Sequence, residues 1–250
     1  HCLVKTISSN KNLTQTLLWN NSMMSENENI IVLGENILGD VISTNMSKSI
    51  HWLIAGSSGS GKSALLRTIA MQFIEKDYEV FVNDSKNALD FNKKWRDKCE
   101  VIKEKSKLIK RLNYIIEEMK ARQELFDKTG CKDIYDYNRC VGSLRQIVII
   151  CDEVGELCDS TGKSKEEKEI ISVIIGYLQT LSRTGRASGI HLVLSTQRPS
   201  VDLFPNEIKE NLKYRICGQG DSTLVKMVLD SADEAVEVIN SFYNKTVFFI

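Results

Sequence analysis

The chain has 250 residues, of which 42% are hydrophobic, 26% are charged and two are proline. This composition supports a sizeable core and excludes a disordered chain, and no stretch approaches the roughly 18 to 20 apolar residues that predict a membrane-spanning helix. The 33 basic and 33 acidic residues balance to a formal net charge of zero, which excludes bulk electrostatic attraction to nucleic acid. Any such partner must be held by a local patch or by backbone groups.

Residues 1–29 are polar, rich in Asn and Ser and weakly periodic, so we predict an amino-terminal extension there. The main domain is predicted over residues 30–250. Its first part, IIVLGENILGDVIST, predicts two short strands around glycine-containing turns. The apolar run IHWLIA then predicts a buried strand, and we expect a helix from Ser63 onward.

The rest of the chain alternates apolar strands with helical segments. YEVFVND, RQIVIICDE, GIHLVLSTQ and YRICG predict four further strands, and LIKRLNYIIEEMKARQELF and KEIISVIIGYLQTLSR predict helices. The helix predicted from LIKRLNYIIEEMKARQELF carries an apolar stripe typical of a core-facing surface: Leu108, Leu112, Ile115, Ile116 and Met119. This alternation favours an α/β fold whose mainly parallel central sheet is flanked by helices, with functional groups at the carboxyl ends of the strands.

The cysteines and the chain ends bear on the setting of the protein. The seven cysteines are an odd number without a Cys-x-x-Cys pair or a histidine at metal-ligand spacing, so we expect reduced cytosolic thiols. The chain begins on His1 and ends on the apolar run TVFFI. We therefore expect a soluble fragment of a longer protein, with any membrane anchor outside it.

A Gly/Ser loop follows the IHWLIA strand and fits the phosphate-binding pattern Gly-x-x-x-x-Gly-Lys-[Ser/Thr] (Walker A). Glycines let the backbone wrap a phosphate chain, Lys62 reaches the outer phosphates, and Ser63 offers a hydroxyl to Mg²⁺. The position between strand and helix disfavours a plain turn. We predict that this segment binds ATP through Gly56, Ser57, Ser58, Gly59, Ser60, Gly61, Lys62, Ser63 and Ala64.

Acidic and polar side chains follow two of the later strands. Asp152 is placed to hold the metal ion, directly or through water, and Glu153 to orient and deprotonate the water that attacks the outer phosphate. Gln197, after Ser195 and Thr196, is a candidate sensor of the γ-phosphate if its strand is adjacent. The alternatives are a solvated acidic turn and a strand-end cap.

Two basic pairs allow two interpretations each. Arg183 and Arg186 follow a helix; either could reach a neighbouring subunit's nucleotide, or they are cations at a helix carboxyl end. Lys163 and Lys165 lie in the polar segment CDSTGKSKEEK, which either meets DNA phosphates at a channel or is a solvated loop.

Four separated blocks, in the same order, resemble the FtsK/SpoIIIE family of DNA translocases. They are IIVLGENILGDVISTNMSKSIHWLIAGSSGSGKS, IIEEMKARQELFDKTGCKDIYDYN with its Glu-Met-x-x-Arg pattern, IVIICDEVGEL, and RASGIHLVLSTQRPSVDLFPNEIKENLKYRI. The resemblance covers about residues 30–240 and leaves residues 1–29 outside. It implies a RecA-like P-loop motor that forms a hexameric ring, hydrolyses ATP at subunit interfaces and moves double-stranded DNA.

The resemblance also ranks the two arginines as candidates for a catalytic contact with a neighbouring subunit, and it shows one departure from the family's pattern. Arg186 aligns with the arginine of the family's Ala-Arg-Ala-Ala-Gly-Ile-His run, which makes it the first choice for a trans-acting finger, with Arg183 second. Asp84-Ser85-Lys86 replaces the usual Asp-Pro-Lys, so the loop that carries Lys86 is less rigid than in the family.

Within the family, the chain is most similar to the coupling ATPases of Gram-positive conjugative elements. That implies relaxase or transfer-channel partners at the cytoplasmic face of a bacterial membrane. Three alternatives remain: a chromosome-partitioning translocase, a secretion ATPase that moves proteins, and a nucleotide-binding module without turnover.

Overall fold

The computed structural model describes residues 20–36, 39–84, 91–197 and 205–229. After a 3-10 turn at Asn21–Met23, the strands are β1 (Ile30–Glu35), β2 (Val41–Asn45), β3 (Trp52–Ala55), β4 (Glu79–Asn83), β5 (Glu100–Ile102), β6 (Ile147–Cys151), β7 (Ile190–Thr196) and β8 (Tyr214–Cys217). The helices are α1 (Lys62–Glu75), α2 (Lys93–Arg96), α3 (Lys105–Thr129), α4 (Ile134–Cys140), α5 (Val154–Cys158), α6 (Lys165–Thr184), α7 (Asn206–Asn211) and α8 (Ser222–Leu229).

Six strands form a parallel sheet in the order β5-β4-β6-β7-β3-β8. Every residue of β6 and β7 is buried, as expected for central strands covered on both faces. Side chains alternate between the two faces. Leu53 of β3 joins the core under α3 and α6, whereas its neighbour Trp52 joins the core under α1. The predicted parallel α/β sheet is therefore confirmed.

The strand pair β1–β2 is antiparallel and separate from the main sheet. It is attached to α1 through Gln72, a fully buried residue whose amide acts as a strand partner for Val32. The Gln72 carbonyl accepts from the Val32 N–H at 2.9 Å, and its NH₂ group donates to the Val32 carbonyl at 2.7 Å. The pair thereby covers the face of the sheet that carries α1.

The two long helices agree with the predicted segments and extend beyond them. All five residues of the predicted apolar stripe on α3 are buried, and that helix ends at Gly130 in the left-handed conformation, φ 70°. Helix α6 begins three residues earlier than expected because Ser164 and Glu167 form a reciprocal capping box. Lys165 consequently lies in the first helical turn; its placement in a loop was wrong.

Short elements were not predicted: β5 at the sheet edge, and α2, α4, α5, α7 and α8. Among the described helices, none combines the length and the apolar character needed to cross a membrane.

Candidate nucleotide-binding site

The Gly/Ser loop lies between β3 and α1, at the carboxyl end of the sheet. Gly59 and Gly61 have φ values of 81° and 86°, a left-handed conformation that side chains disfavour. At Gly56, a Cβ atom would lie 2.4 Å from the Ser60 hydroxyl oxygen. The tight curl before the helix therefore favours glycine at positions 59 and 61, and a side chain at position 56 would displace Ser60.

Neighbouring strand ends hold the loop in place through its backbone. The Gly56 N–H donates to the Thr196 carbonyl at 3.3 Å, and the Ser57 N–H donates to the Gln219 carbonyl at 2.7 Å. Gly218 in turn donates from its N–H to the Ala55 carbonyl at 2.8 Å. The loop after β8 is thus part of the site. It was not predicted from the sequence, although the Gly-Gln-Gly run directly after the YRIC strand marks it.

Lys62 is the first residue of α1 and is only 4% exposed. Its ammonium group donates to the Ser195 hydroxyl at 2.9 Å and to the Asp152 carbonyl at 3.1 Å. It also lies 3.6 Å from a carboxylate oxygen of Asp152 and 3.7 Å from one of Glu153. Buried charges of both signs are thereby compensated within one small volume.

Glu153 follows β6 and is 6% exposed. Its carboxylate accepts from the Thr196 hydroxyl at 2.7 Å and from the Gln197 N–H at 3.1 Å. These contacts exist because β7 lies between β6 and β3. The strand predicted from GIHLVLSTQ is therefore adjacent to the strand that precedes Glu153, as expected. The structure brings Lys62, Asp152, Glu153 and the end of β7 together.

The residues present fit a nucleotide triphosphate with Mg²⁺. Ser60 is buried, and within the described ranges its hydroxyl has no hydrogen-bond partner, so a donor is available beside the curled backbone. The described residues contain no group of three or more His, Cys, Asp or Glu side chains suited to hold a metal alone. Mg²⁺ at phosphate sites normally needs only one or two carboxylates with phosphate oxygens and water, which Ser63 and Asp152 would complete.

A further acid, Asp84, lies at the end of β4 beside β6 and was not assigned a role from the sequence. It is buried, and within the described ranges one of its carboxylate oxygens has no hydrogen-bond partner. Its N–H donates to the Ile102 carbonyl at 3.0 Å. Ser85 and Lys86, the other members of that motif, lie outside the described residues.

Arg183 and Arg186 lie at the end of the sheet opposite the phosphate loop, where the strands begin. Arg183 is in the last turn of α6 and Arg186 in the turn before β7, so both precede the strand whose far end reaches Glu153. Both are exposed and line a cavity of about 580 Å³ with Lys132, Asp133 and Tyr135, among others. In a parallel sheet, that end is remote from the chain's own nucleotide site; a contribution to catalysis from either arginine would require a second protomer.

Lys163 and Lys165 are exposed beside the start of α6. The Lys163 N–H donates to the Ser160 carbonyl at 3.3 Å within a turn, and Lys165 opens the helix. Their contact with DNA stays a prediction.

The parallel sheet, the phosphate loop and the two acids beside an intervening polar strand end define the P-loop fold of the RecA-like type. The sequence profile of the FtsK/SpoIIIE family matches residues 13–201, and the chain belongs to this family. The match starts within the segment that we predicted as an extension.

Curated relatives agree with this assignment. The DNA translocase FtsK of Caldanaerobacter subterraneus subsp. tengcongensis is 33% identical over 199 residues, which cover 76% of this chain and 27% of that protein. The DNA translocase SpoIIIE of Bacillus subtilis is 31% identical over 204 residues, which cover 75% of this chain and 25% of that protein. The chain thus spans about a quarter of the length of these relatives.

Solved structures add a third comparison. The conjugation coupling protein TcpA of pCW3, in a monomer form with ATPγS, is 33% identical and superposes with a TM-score of 0.83, over 88% of this chain and 63% of that one. EssC of Geobacillus thermodenitrificans is 20% identical with a TM-score of 0.73, over 92% of this chain and 44% of that one, and it supports the fold alone.

Proposed function

We propose that the chain is the ATP-hydrolysing motor of a double-stranded DNA translocase that works as a hexameric ring. The observation that carries the proposal is the position of Glu153, fixed by two hydrogen bonds from the end of β7 and 3.7 Å from the Lys62 ammonium. A module that only stores nucleotide has no need of a second, immobilised carboxylate beside the metal-binding acid. Membership in the FtsK/SpoIIIE family supports DNA as the cargo.

Each residue of the site has a distinct task in this proposal. Glu153 orients the attacking water and takes its proton, while Lys62 stabilises the negative charge that develops on the outer phosphate. Mg²⁺, held by Ser63 and Asp152 together with phosphate oxygens, supplies charge neutralisation when bound. Gln197 registers the outer phosphate next to Glu153 and connects hydrolysis to the segment after β7.

Arg186 is proposed to complete the catalytic site of an adjacent protomer, with Arg183 as the second candidate. Its support is its place: an exposed cation beside a cavity, at the end of the sheet that is remote from its own Lys62. Such an arginine contributes on the order of 10³ to 10⁵ in rate in phosphoryl-transfer systems. A single protomer would therefore hydrolyse ATP very slowly.

Within the family, we favour a coupling role in conjugative DNA transfer, at the cytoplasmic face of the cell membrane and with relaxase or transfer-channel proteins as partners. The TM-score of 0.83 and 33% identity to TcpA over 88% of the chain support this choice. FtsK and SpoIIIE relatives of 31–33% identity support chromosome partitioning as the second candidate. Deletion of the gene, scored for transfer of a mobile element and for chromosome partitioning, separates the two.

The proposal is tested by the ATPase rate against added double-stranded DNA at two salt concentrations. We expect strong stimulation that weakens as salt rises, because a motor that grips the phosphate backbone releases counterions on binding. Stimulation by a substrate peptide and none by DNA would overturn the DNA assignment in favour of protein secretion. Nucleotide binding without measurable turnover, with or without DNA, would overturn the motor itself.

A further inference from the structure

The turn that carries Arg186 is held in place by a buried arginine on a different helix. Arg122 of α3 is 4% exposed, and its guanidinium donates from Nη1 to the Ser188 carbonyl at 2.9 Å. Its Nε donates to the Glu118 carboxylate at 2.8 Å, one helical turn earlier. A buried cation is costly unless its donors are satisfied, and here one of them is satisfied by the backbone of the Arg186 turn.

Other contacts hold the same turn from a second side. The Ile134 N–H, at the start of α4, donates to the Ala187 carbonyl at 2.8 Å. Gly189, with φ 69°, packs so closely on Ile134 that a Cβ atom would lie 2.6 Å from its Cδ1 atom. The segment between α6 and β7 is therefore fixed by α3 and α4 while the Arg186 side chain stays exposed.

We propose that Arg122 is a positioning residue that sets the direction in which Arg186 is presented to an adjacent protomer. The inference rests on the proposed trans role of Arg186 and extends it to a residue that does not touch the nucleotide. Arg122 acts through the Ser188 carbonyl: without this bond, the turn keeps the longer 3.4 Å bond from the Ser188 hydroxyl to the Met119 carbonyl of α3 and the bond from the start of α4, but it loses the shorter bond to the buried guanidinium. A misplacement of about 1 Å at a catalytic group lowers a rate on the order of 10²-fold.

The first measurement is amide hydrogen exchange of the purified chain. Arg122→Met should speed exchange at residues 185–190 and leave the phosphate loop at residues 56–62 unchanged. Lys120→Met is the matched control, since Lys120 lies on the same helix but pairs at the surface with Glu117. Faster exchange throughout the chain would show general destabilisation and overturn the positioning role. Arg122→Lys keeps the buried charge with fewer donors and serves if the methionine variant folds poorly.

The second measurement is ATPase activity of DNA-bound assemblies. We expect Arg122→Met to lower kcat about 10²-fold with little change in KM, against at least 10³-fold for Arg186→Ala. The double variant should lose no more than Arg186→Ala alone, because Arg122 acts through Arg186. Multiplied losses, or full activity of Arg122→Met beside an inactive Arg186→Ala, would overturn the inference. Full activity of Arg186→Ala would instead overturn the proposed trans role, while hydrogen exchange would still decide whether Arg122 holds the turn.

Discussion

The Thr196 hydroxyl donates a 2.7 Å hydrogen bond to the Glu153 carboxylate, from the last residue of β7 to the residue two positions after the end of β6. Both residues are buried. The proposed base is thus oriented by a neighbouring strand as well as by its own, and changes on either strand should alter hydrolysis more than nucleotide binding.

Replacement of Glu153 by Gln should preserve ATP binding and abolish turnover. The amide keeps the shape of the side chain but cannot take a proton, and general-base catalysis contributes about 10²- to 10⁴-fold. Steady-state ATPase rates and titration with a fluorescent ATP analogue measure the two effects. Glu156→Gln, at an exposed position in the first turn of α5, is the control and should be active. Undiminished hydrolysis by Glu153→Gln would show that another group acts as the base.

Thr196→Val should slow hydrolysis by about tenfold and leave nucleotide affinity within a factor of two or so. Valine fills the same buried space but removes the hydrogen bond that orients Glu153, at a cost of about 1 to 2 kcal/mol in stability. Single-turnover rates measure the first effect and urea denaturation the second. Thr180→Val removes a hydroxyl that only bonds within α6, and it serves as the control. Equal losses in both variants would rule out a specific role for Thr196.

Gly56→Ala should weaken nucleotide binding by more than tenfold. Its Cβ atom would lie 2.4 Å from the Ser60 hydroxyl oxygen and 3.1 Å from the Ser60 Cβ atom, so the hydroxyl would have to rotate and Ser60 would have to shift within the loop. Isothermal titration with ATP and Mg²⁺ measures the loss. Gly176→Ala is the matched control because the added Cβ atom meets nothing within 4 Å inside α6; it should raise stability by about 0.5 to 1 kcal/mol. Unchanged affinity in Gly56→Ala would contradict the tight loop.

Stability should fall as the pH drops below neutrality because of two buried histidines. Burial lowers the pKa of His191 to about 4, and burial together with nearby His191 lowers that of His51 to about 3, both from an ordinary 6.5. The unfolded chain therefore binds more protons, so their contribution is fully present above pH 6.5 and is lost as the pH falls towards 4.

Urea midpoints at pH 7 and pH 5 measure this loss. In His51→Asn the amide oxygen can replace Nδ1 as the acceptor for the Leu192 N–H, now 3.1 Å away, and the pH dependence should become shallower. Identical midpoints of the wild type at both pH values would contradict the assignment.

Charge reversal at Lys163 and Lys165 should reduce stimulation by DNA without changing the basal ATPase rate. If both lysines meet phosphates, the dependence of log K on log salt should become shallower by about two units. Fluorescence anisotropy with labelled duplex DNA over a salt series measures this slope. Reversal of the exposed lysines Lys107 and Lys120 on α3 is the control. Equal slopes in the wild type and the Lys163/Lys165 variant would indicate a solvated surface.

Sequence patterns predicted the parts of the fold in which the local residue pattern fits one kind of element and no other. The apolar runs of β3, β6 and β7, the stripe on α3 and the Gly/Ser loop each have a single good structural solution. The three-residue strand β5 is too short to show a period, and α5 begins directly after two acids that read as a turn.

Contacts between distant segments were not predictable in the same way. The bond from Ser57 to the Gln219 carbonyl and that from Arg122 to the Ser188 carbonyl depend on strand order and helix packing. The pattern Glu-Met-x-x-Arg marked Arg122 as a point of resemblance, but its partner lies 66 positions later in the chain. The place of β7 between β6 and β3 is what brings Gln197 to Glu153.

Strand β7 has seven residues and spans roughly 20 Å. It starts after the turn of Arg186 and ends at Thr196, so a single fully buried strand connects the Arg186 turn at one end of the sheet to Glu153 at the other. In the proposed ring, the carboxyl end of β7 would respond to hydrolysis in its own protomer, while the turn before its amino end would present Arg186 to the nucleotide of the adjacent protomer. A single strand would then connect hydrolysis in one subunit to catalysis in the next, and it would contribute to the order in which the subunits hydrolyse ATP.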